Sequence, residues 1–131
     1  MAGGVRVLGE DATLYALERG LEAASLRHRA LAHNVANADT PGYKRQDVTF
    51  ASRLARLLGT GGAGGRGASG RELEPRVVVD SSTTGRADGN NVEVEVEMAL
   101  MAENSLWYQS MVRLVSEKLG RLKLAITEGR R

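Results

Sequence analysis

The chain has no cysteine, two prolines and, among 131 residues, one tryptophan, three tyrosines and one phenylalanine. Without cysteine neither a disulfide framework nor a thiolate metal site can form, and cysteine usage carries no information about redox compartment. With so few aromatics, the 42% hydrophobic fraction falls to Ala, Val and Leu, and a core built from these is thin. A chain of this length folding alone buries about two thirds of its unfolded surface. The twelve residues from Gly59 to Gly70, seven of them glycine, can add almost nothing to that burial, so burial against other chains is expected. Long hydrophobic runs are missing too. The longest, Met98 to Ala102, is far shorter than the ~20 residues a bilayer-spanning helix needs, and Met1 to Ala12 lacks an apolar signal-peptide core. By these rules alone the chain reads as cytosolic, with no transmembrane segment.

Charge is nearly balanced, at +2 overall. Residues 44–76 hold seven Lys or Arg (Lys44, Arg45, Arg53, Arg56, Arg66, Arg71, Arg76) against three acids (Asp47, Glu72, Glu74), so this segment is +4 and the rest −2. A basic stretch attracts acidic partners, but this one is flexible and poor in aromatics to stack on bases, which argues against nucleic acid.

From Leu14 the apolar positions run Leu14, Leu17, Leu21, Ala24, His28, Leu31, Val35, steps of three and four that keep one helical face in register. Glu10 and Asp11 suit the start of such a helix, and Asn37 can take the left-handed geometry that ends one. A second series runs Val94, Met98, Met101, Ser105, Tyr108, Val112, Val115, Leu119, Leu122, Ile126. Asp88-Gly89-Asn90-Asn91 supplies a turn and an Asn cap before it, with Glu93, Glu95 and Glu97 in the first turns. Leu100, Trp107, Met111 and Leu114 form a further stripe beside that seam, more than the ~100° of apolar face that one packed neighbour covers. The surplus is expected to meet other subunits. Within the chain, the one rival cover is a short amphipathic segment, Phe50, Leu54, Leu57 and Leu58.

The fold expected is therefore mainly α: N- and C-terminal amphipathic helices packed antiparallel as a coiled-coil-like pair, around a short middle. Antiparallel packing sets Glu10, Asp11, Glu18 and Glu22 beside Lys118, Arg121 and Lys123, and Arg27 and Arg29 near Glu93, Glu95, Glu97 and Glu103. The chain divides into residues 1–45, 46–87 and 88–131. In the middle part, the Gly-rich loop 59–70 is expected to be disordered, and Arg76-Val77-Val78-Val79-Asp80 has strand propensity but no evident partner.

Motifs for chemistry fail on context. Gly62 to Gly67 matches a dinucleotide fingerprint in spelling only, because no buried strand precedes it and no helix start follows. His28 and His33 lie about 140° apart on a helix and cannot share a metal; His28 reads as a packed or hydrogen-bonded histidine of the apolar stripe. No serine sits in a nucleophile elbow. No catalytic, cofactor-binding or metal site is expected, and no small-molecule substrate.

The most informative string is Ala32-His33-Asn34-Val35-Ala36-Asn37-Ala38-Asp39-Thr40-Pro41-Gly42-Tyr43-Lys44-Arg45. Locally it is a helix stop followed by a turn, with Pro41-Gly42 at the central positions of type II. As a whole it resembles the signature of flagellar axial proteins, the family of rod, hook and hook-associated subunits. The residues carrying it are Asn34, Asn37, Thr40, Pro41, Gly42, Tyr43 and Lys44; His33 stands where the family usually has Asn. The stretch Asp88 to Glu93, followed by Glu97-Met98-Ala99 and Ala102 to Gln109, is similar to that of basal-body rod subunits. The resemblance spans roughly residues 10–58 and 86–127 and leaves the Gly-rich middle unmatched.

That resemblance implies a structural, non-enzymatic subunit of the proximal rod, self- and hetero-assembling through terminal helices to carry torque and line the export channel. The implied partners are other rod subunits, copies of itself, the membrane ring and the export gate. It also replaces the cytosolic reading with a periplasmic rod reached by flagellar export without a cleaved signal peptide. Phe50-Ala51-Ser52-Arg53-Leu54 resembles a Phe-x-x-x-hydrophobic export-gate element, so Phe50 and Leu54 are candidates for export recognition. Two other functions fit parts of the sequence: a soluble coiled-coil adaptor and, below it, a basic nucleic-acid-binding protein acting through residues 44–76.

Overall fold

A computed structural model of the chain describes residues 2–52 and 74–129. Two helices of 35 residues, α1 (Ala2–Ala36) and α2 (Val94–Glu128), frame two short strands, β1 (Gln46–Thr49) and β2 (Arg76–Val79). At 1.5 Å per residue each helix is about 50 Å long. The helices run antiparallel: Asn34 of α1 bonds Glu97 of α2, Ala24 bonds Asn104 further along, and Gly20 lies against Met111 beyond that. The mainly helical fold expected from the two apolar series, and the antiparallel packing expected from the charges at the helix ends, are thus observed. No described helix is long and apolar enough to cross a membrane.

The ends of the helices differ from expectation. α1 begins at Ala2, so Glu10 and Asp11 lie in its interior. It ends without a left-handed residue: no described non-glycine residue has a positive φ. Instead Asn37 turns its side-chain amide back onto the His33 carbonyl at 2.8 Å, satisfying a terminal carbonyl through the side chain. At α2 the N-cap position falls to Glu93, which makes no side-chain cap bond; the asparagines before it have other work.

The strand Arg76–Val79 does find a partner. β1 pairs with it antiparallel, Gln46 opposite Val79 and Thr49 opposite Arg76. The sequence concealed this because Gln46-Asp47-Val48-Thr49 has only one strongly apolar residue. The Gly-rich loop 59–70 and Leu54, Leu57 and Leu58 lie outside the described residues.

Among the described residues the buried apolar set is small: Ala23, Ala24, Ala30, Leu31, Ala38, Phe50 and Val92. Small residues let the helices approach closely, and at Gly20 a Cβ would sit 2.6 Å from Met111 Sδ and 3.7 Å from the Phe50 ring. The contact faces are rotated from those the periodicity marked. On α1, Leu31 is fully buried, Leu14, Leu17, Leu21 and Val35 are half-buried, and His28 is exposed instead of packed. On α2, the face against α1 runs through Glu97, Met101, Asn104, Met111 and Val115, whereas Met98, Tyr108, Val112, Leu119, Leu122 and Ile126 are exposed.

Candidate functional site: a buried polar clamp and an uncovered apolar helix

Where the chain leaves α1, its backbone is bent by a turn whose parts are visible in the sequence. The Tyr43 N–H donates to the Thr40 carbonyl at 3.2 Å across Pro41-Gly42, and Gly42 has φ of +73°. That is a type II turn, with proline's fixed φ at its second position and the left-handed φ that glycine tolerates at its third. Gly42 also donates its N–H to Asp88 O at 2.9 Å. Gly89 (φ +85°) comes so close that a Cβ there would sit 3.5 Å from the Gly42 Cα. The two glycines let the two motif segments touch backbone to backbone.

Around this contact the polar residues are buried and satisfied. The Asn90 side-chain amide donates to the carbonyls of Asn37, Ala38 and Thr40 at 2.8–3.0 Å, while its Oδ1 accepts from Val92 N–H at 2.8 Å. It therefore ties together three carbonyls of the turn that follows α1, each of which also accepts from a second donor. Asn91 Oδ1 accepts from Arg45 N–H at 2.7 Å, and its amide donates to Asp80 O at 2.7 Å. Lys44 reaches the Gly89 carbonyl, and Arg86 that of Ala38.

Beneath lies a charged centre. Glu97, fully buried, accepts from Arg45 Nε at 2.7 Å and from Asn34 Nδ2 at 3.0 Å. Asn34, equally buried, also bonds both backbone groups of Gln46 and accepts from the Tyr43 hydroxyl at 3.1 Å. Arg45 continues to Asp80 at 2.6 Å and Asp47 at 3.3 Å, and Asp47 in turn pairs with Arg27 at 2.8 Å. No buried side-chain nitrogen or oxygen among the described residues lacks a hydrogen-bond partner, so the desolvation of these groups is met by fixed donors and acceptors. Arg27 thus meets Asp47 of β1 instead of the glutamates expected beside it.

The electrostatics follow from these contacts. The Glu97 carboxylate, and then Asp80 and Asp47, hold the Arg45 guanidinium charged against the opposing cost of burial. Burial and the Glu97 charge push the Tyr43 phenol up. Asp80 is held down at about 2, chiefly by the Ser82 hydroxyl and amide and then by Arg45. At Asp47, burial works upward but is outweighed by Arg27, the Val48 amide and Arg45, leaving it below the usual range. A carboxylate whose folded pKa is depressed contributes stability above its unfolded value, about 4, and loses it as pH falls through the folded value. The clamp should therefore loosen on acidification from about pH 4 toward about 2. Hydrogen exchange at the Arg45, Gln46 and Val92 amides should report it; unchanged protection across that window would contradict it.

The structure brings Asn34, Asn37, Thr40, Gly42, Tyr43 and Lys44 of the motif into this one region; Pro41, exposed, shapes the turn. Pattern reading missed Arg45, Asp47, Asp80, Asn90, Asn91, Glu97 and Asn104 as a set. The available signal was the seven-residue spacing of Glu97, Asn104, Met111 and Lys118, a seam one position from the apolar one. Asn104, buried, donates to the Ala24 carbonyl at 2.8 Å.

On either side of the seam that faces α1, α2 is uncovered. Val94, Met98, Val112 and Leu119 lie on one flank of its α1-facing seam and Val96, Trp107 and Leu114 on the other, all exposed; Met98 is 56% and Trp107 58% accessible. Single exposed apolar side chains are ordinary, but two parallel stripes on one helix mark an interaction surface.

The segment that ends α1 and carries this turn motif belongs to a class of flagellar structural subunits: the family of flagella basal body rod proteins matches residues 14–44. A flagellar basal body rod protein FlgB from Cereibacter sphaeroides is 38% identical over 110 residues, covering 76% of this chain and 82% of the relative. That of Bacillus subtilis is 30% identical over 127 residues, 90% and 95% of the two chains, and that of Salmonella typhimurium 31% over 122 residues, 83% and 88%. The chain belongs to the FlgB family of flagellar basal body rod proteins, and it is a component of the flagellar basal body rod.

Proposed function

We propose that the chain is a structural subunit of the proximal rod that assembles by burying the two uncovered stripes of α2 against helices of neighbouring subunits, and that the closed tube so formed transmits torque and walls the export channel. The observation that carries this reading is the exposure of Met98, Trp107, Leu114 and Leu119 on the two flanks of a seam that is already held by α1. Two flanking stripes favour two different neighbours, the condition for a heterologous, open assembly instead of a closed dimer. The terminal segments 1–45 and 88–131 supply the helices and 46–87 the insert between them. Neighbours are copies of this chain and other rod subunits, with the membrane ring and export gate at the base; delivery is by flagellar export without a cleaved signal peptide, to a periplasmic rod.

Coverage is uneven along α2: buried residues stop at Asn104. The isolated chain should therefore be frayed beyond the clamp and gain helix on assembly. Circular dichroism across a concentration series tests this, since a fully helical, cooperatively melting monomer independent of concentration would leave the surplus face without a purpose.

Phe50 is assigned to packing in this proposal. Its burial beside Gly20 supports that role, and truncating a buried Phe costs about 3–5 kcal/mol. Phe50→Ala should be exported normally and then fail to build rod, measured as the amount reaching the periplasm in a strain that cannot complete its rod. Diminished export of a soluble, undegraded subunit would assign Phe50, with Leu54, to export recognition instead.

A further inference from the structure

β2 is a short edge strand exposed on both faces, with Val79 60% accessible and Val77 and Val78 also exposed. Its hydrogen-bonding parity can be read from the ladder. Asp80 N–H donates to Arg45 O at 2.9 Å, and the register continues through Val78 opposite Asp47. Since hydrogen-bonded pairs alternate in antiparallel strands, Val78 directs its backbone groups to β1. Val77 and Val79 direct theirs away from it. Among the described residues no strand takes up that edge.

We propose that this edge pairs with the same edge of a second copy of this chain, antiparallel about a two-fold axis through Val78, joining two two-stranded sheets into one of four strands. Three features select this occupant. The outward backbone groups fall at Val77 and Val79, so a two-fold at Val78 sets Val77 opposite Val79 of the second copy, and both hydrogen bonds of that pair can form. The same axis sets Arg76, which makes no described ion pair, opposite Asp80 of the second copy, and opposite charges across strands are favourable. Pro75 has no N–H to continue the ladder, which confines the pairing to these residues.

Three valines on a four-residue strand are poor cover for a solvated edge, and a two-stranded sheet is marginal alone. Pairing relieves both. Because the contact is two-fold it closes on itself, so it would join free subunits and would not extend a helical assembly. It does not depend on the rod reading.

The absence of cysteine makes the register directly testable. Across a non-hydrogen-bonded antiparallel pair the Cα atoms are about 4.5 Å apart, within the roughly 4.4–6.8 Å that a disulfide spans. Val78→Cys should therefore give a covalent dimer under oxidised glutathione. Val77→Cys, whose counterpart in the second copy is displaced two residues along the strand, should give several-fold less. The Val78→Cys yield should fall on dilution and fall again when Arg76→Asp sets like charges opposite each other. Circular dichroism confirms that each variant keeps its helices. Equal yields from Val77→Cys and Val78→Cys, or a Val78→Cys yield indifferent to Arg76→Asp, would overturn the proposal and leave the edge to a strand from another protein or to none.

Discussion

Arg45→Ala is expected to cost about 3–5 kcal/mol, the usual penalty for breaking a buried ion pair by removing one partner. Arg45 is met by Glu97, Asp80 and Asp47 within 2.6–3.3 Å. Removing it leaves three carboxylates facing one another, one of them fully buried and supported only by the Asn34 amide. Domains of this kind have about 5–15 kcal/mol in hand, so the clamp end should open measurably. Glu97→Gln keeps the shape and one acceptor oxygen, which can still accept from Arg45 while its new NH2 faces the Asn34 amide; because it leaves no unpaired buried carboxylate it should cost less than Arg45→Ala. The measurement is hydrogen exchange at the Arg45, Gln46 and Val92 amides, which reads the clamp even where the distal helices fray. The double variant Arg45→Ala/Glu97→Ala should be less damaging than the sum of the single ones, since partners in direct contact couple by about 0.5–3 kcal/mol. Strict additivity would mean that the ion pair does not hold the two segments together.

A second large effect is expected on the exposed flank in the middle of α2, with the opposite signature. Trp107→Glu combined with Leu114→Glu should leave the clamp's exchange protection untouched, because both side chains are exposed and on the flank away from Met98. Rod assembly should be lost. A buried aromatic at a protein interface is commonly worth 2 kcal/mol or more, and here two carboxylates would enter a surface meant to be apolar, in every subunit of a repeating structure. Basal bodies recovered from cells carrying the variant should lack a completed rod, and the cells should not swim. Normal motility would mean that this flank faces solvent in the assembled state and that the neighbours use the Met98 and Leu119 side alone.

The two experiments separate what holds the subunit together from what holds subunits to each other. Under the proposed assembly those tasks fall on chemically different residues. The fold is closed by charged and amide side chains at one end, Asn34, Arg45, Asn90, Asn91 and Glu97, while most of the large apolar side chains of α2 remain outside. A polar clamp is geometrically demanding, since each donor must find its acceptor, and so it defines one register for the two helices. An apolar stripe is tolerant of partner, which would suit a surface meeting the two neighbours proposed for it.

By itself the sequence determined the local features. Heptad spacing yields two helices; Pro41-Gly42 yields the type II turn; an apolar face wider than one neighbour can cover yields an outward-facing surplus. Each depends on residues close in the chain, where propensity and periodicity act directly. Only the tertiary structure decided which face of each helix turns inward. The apolar series marked the positions of Met98, Val112 and Leu119, but the buried seam runs through Glu97 and Asn104, because Arg45 and Asn34 are placed to bond Glu97 and the Ala24 carbonyl to bond Asn104. A buried charge becomes affordable only when partners far away in sequence are fixed around it, and no periodicity encodes that. The same holds for β1, whose partner lies 30 residues on in register, and for Asn90, which looks like a helix cap in sequence but in space gathers the carbonyls at the end of the other helix.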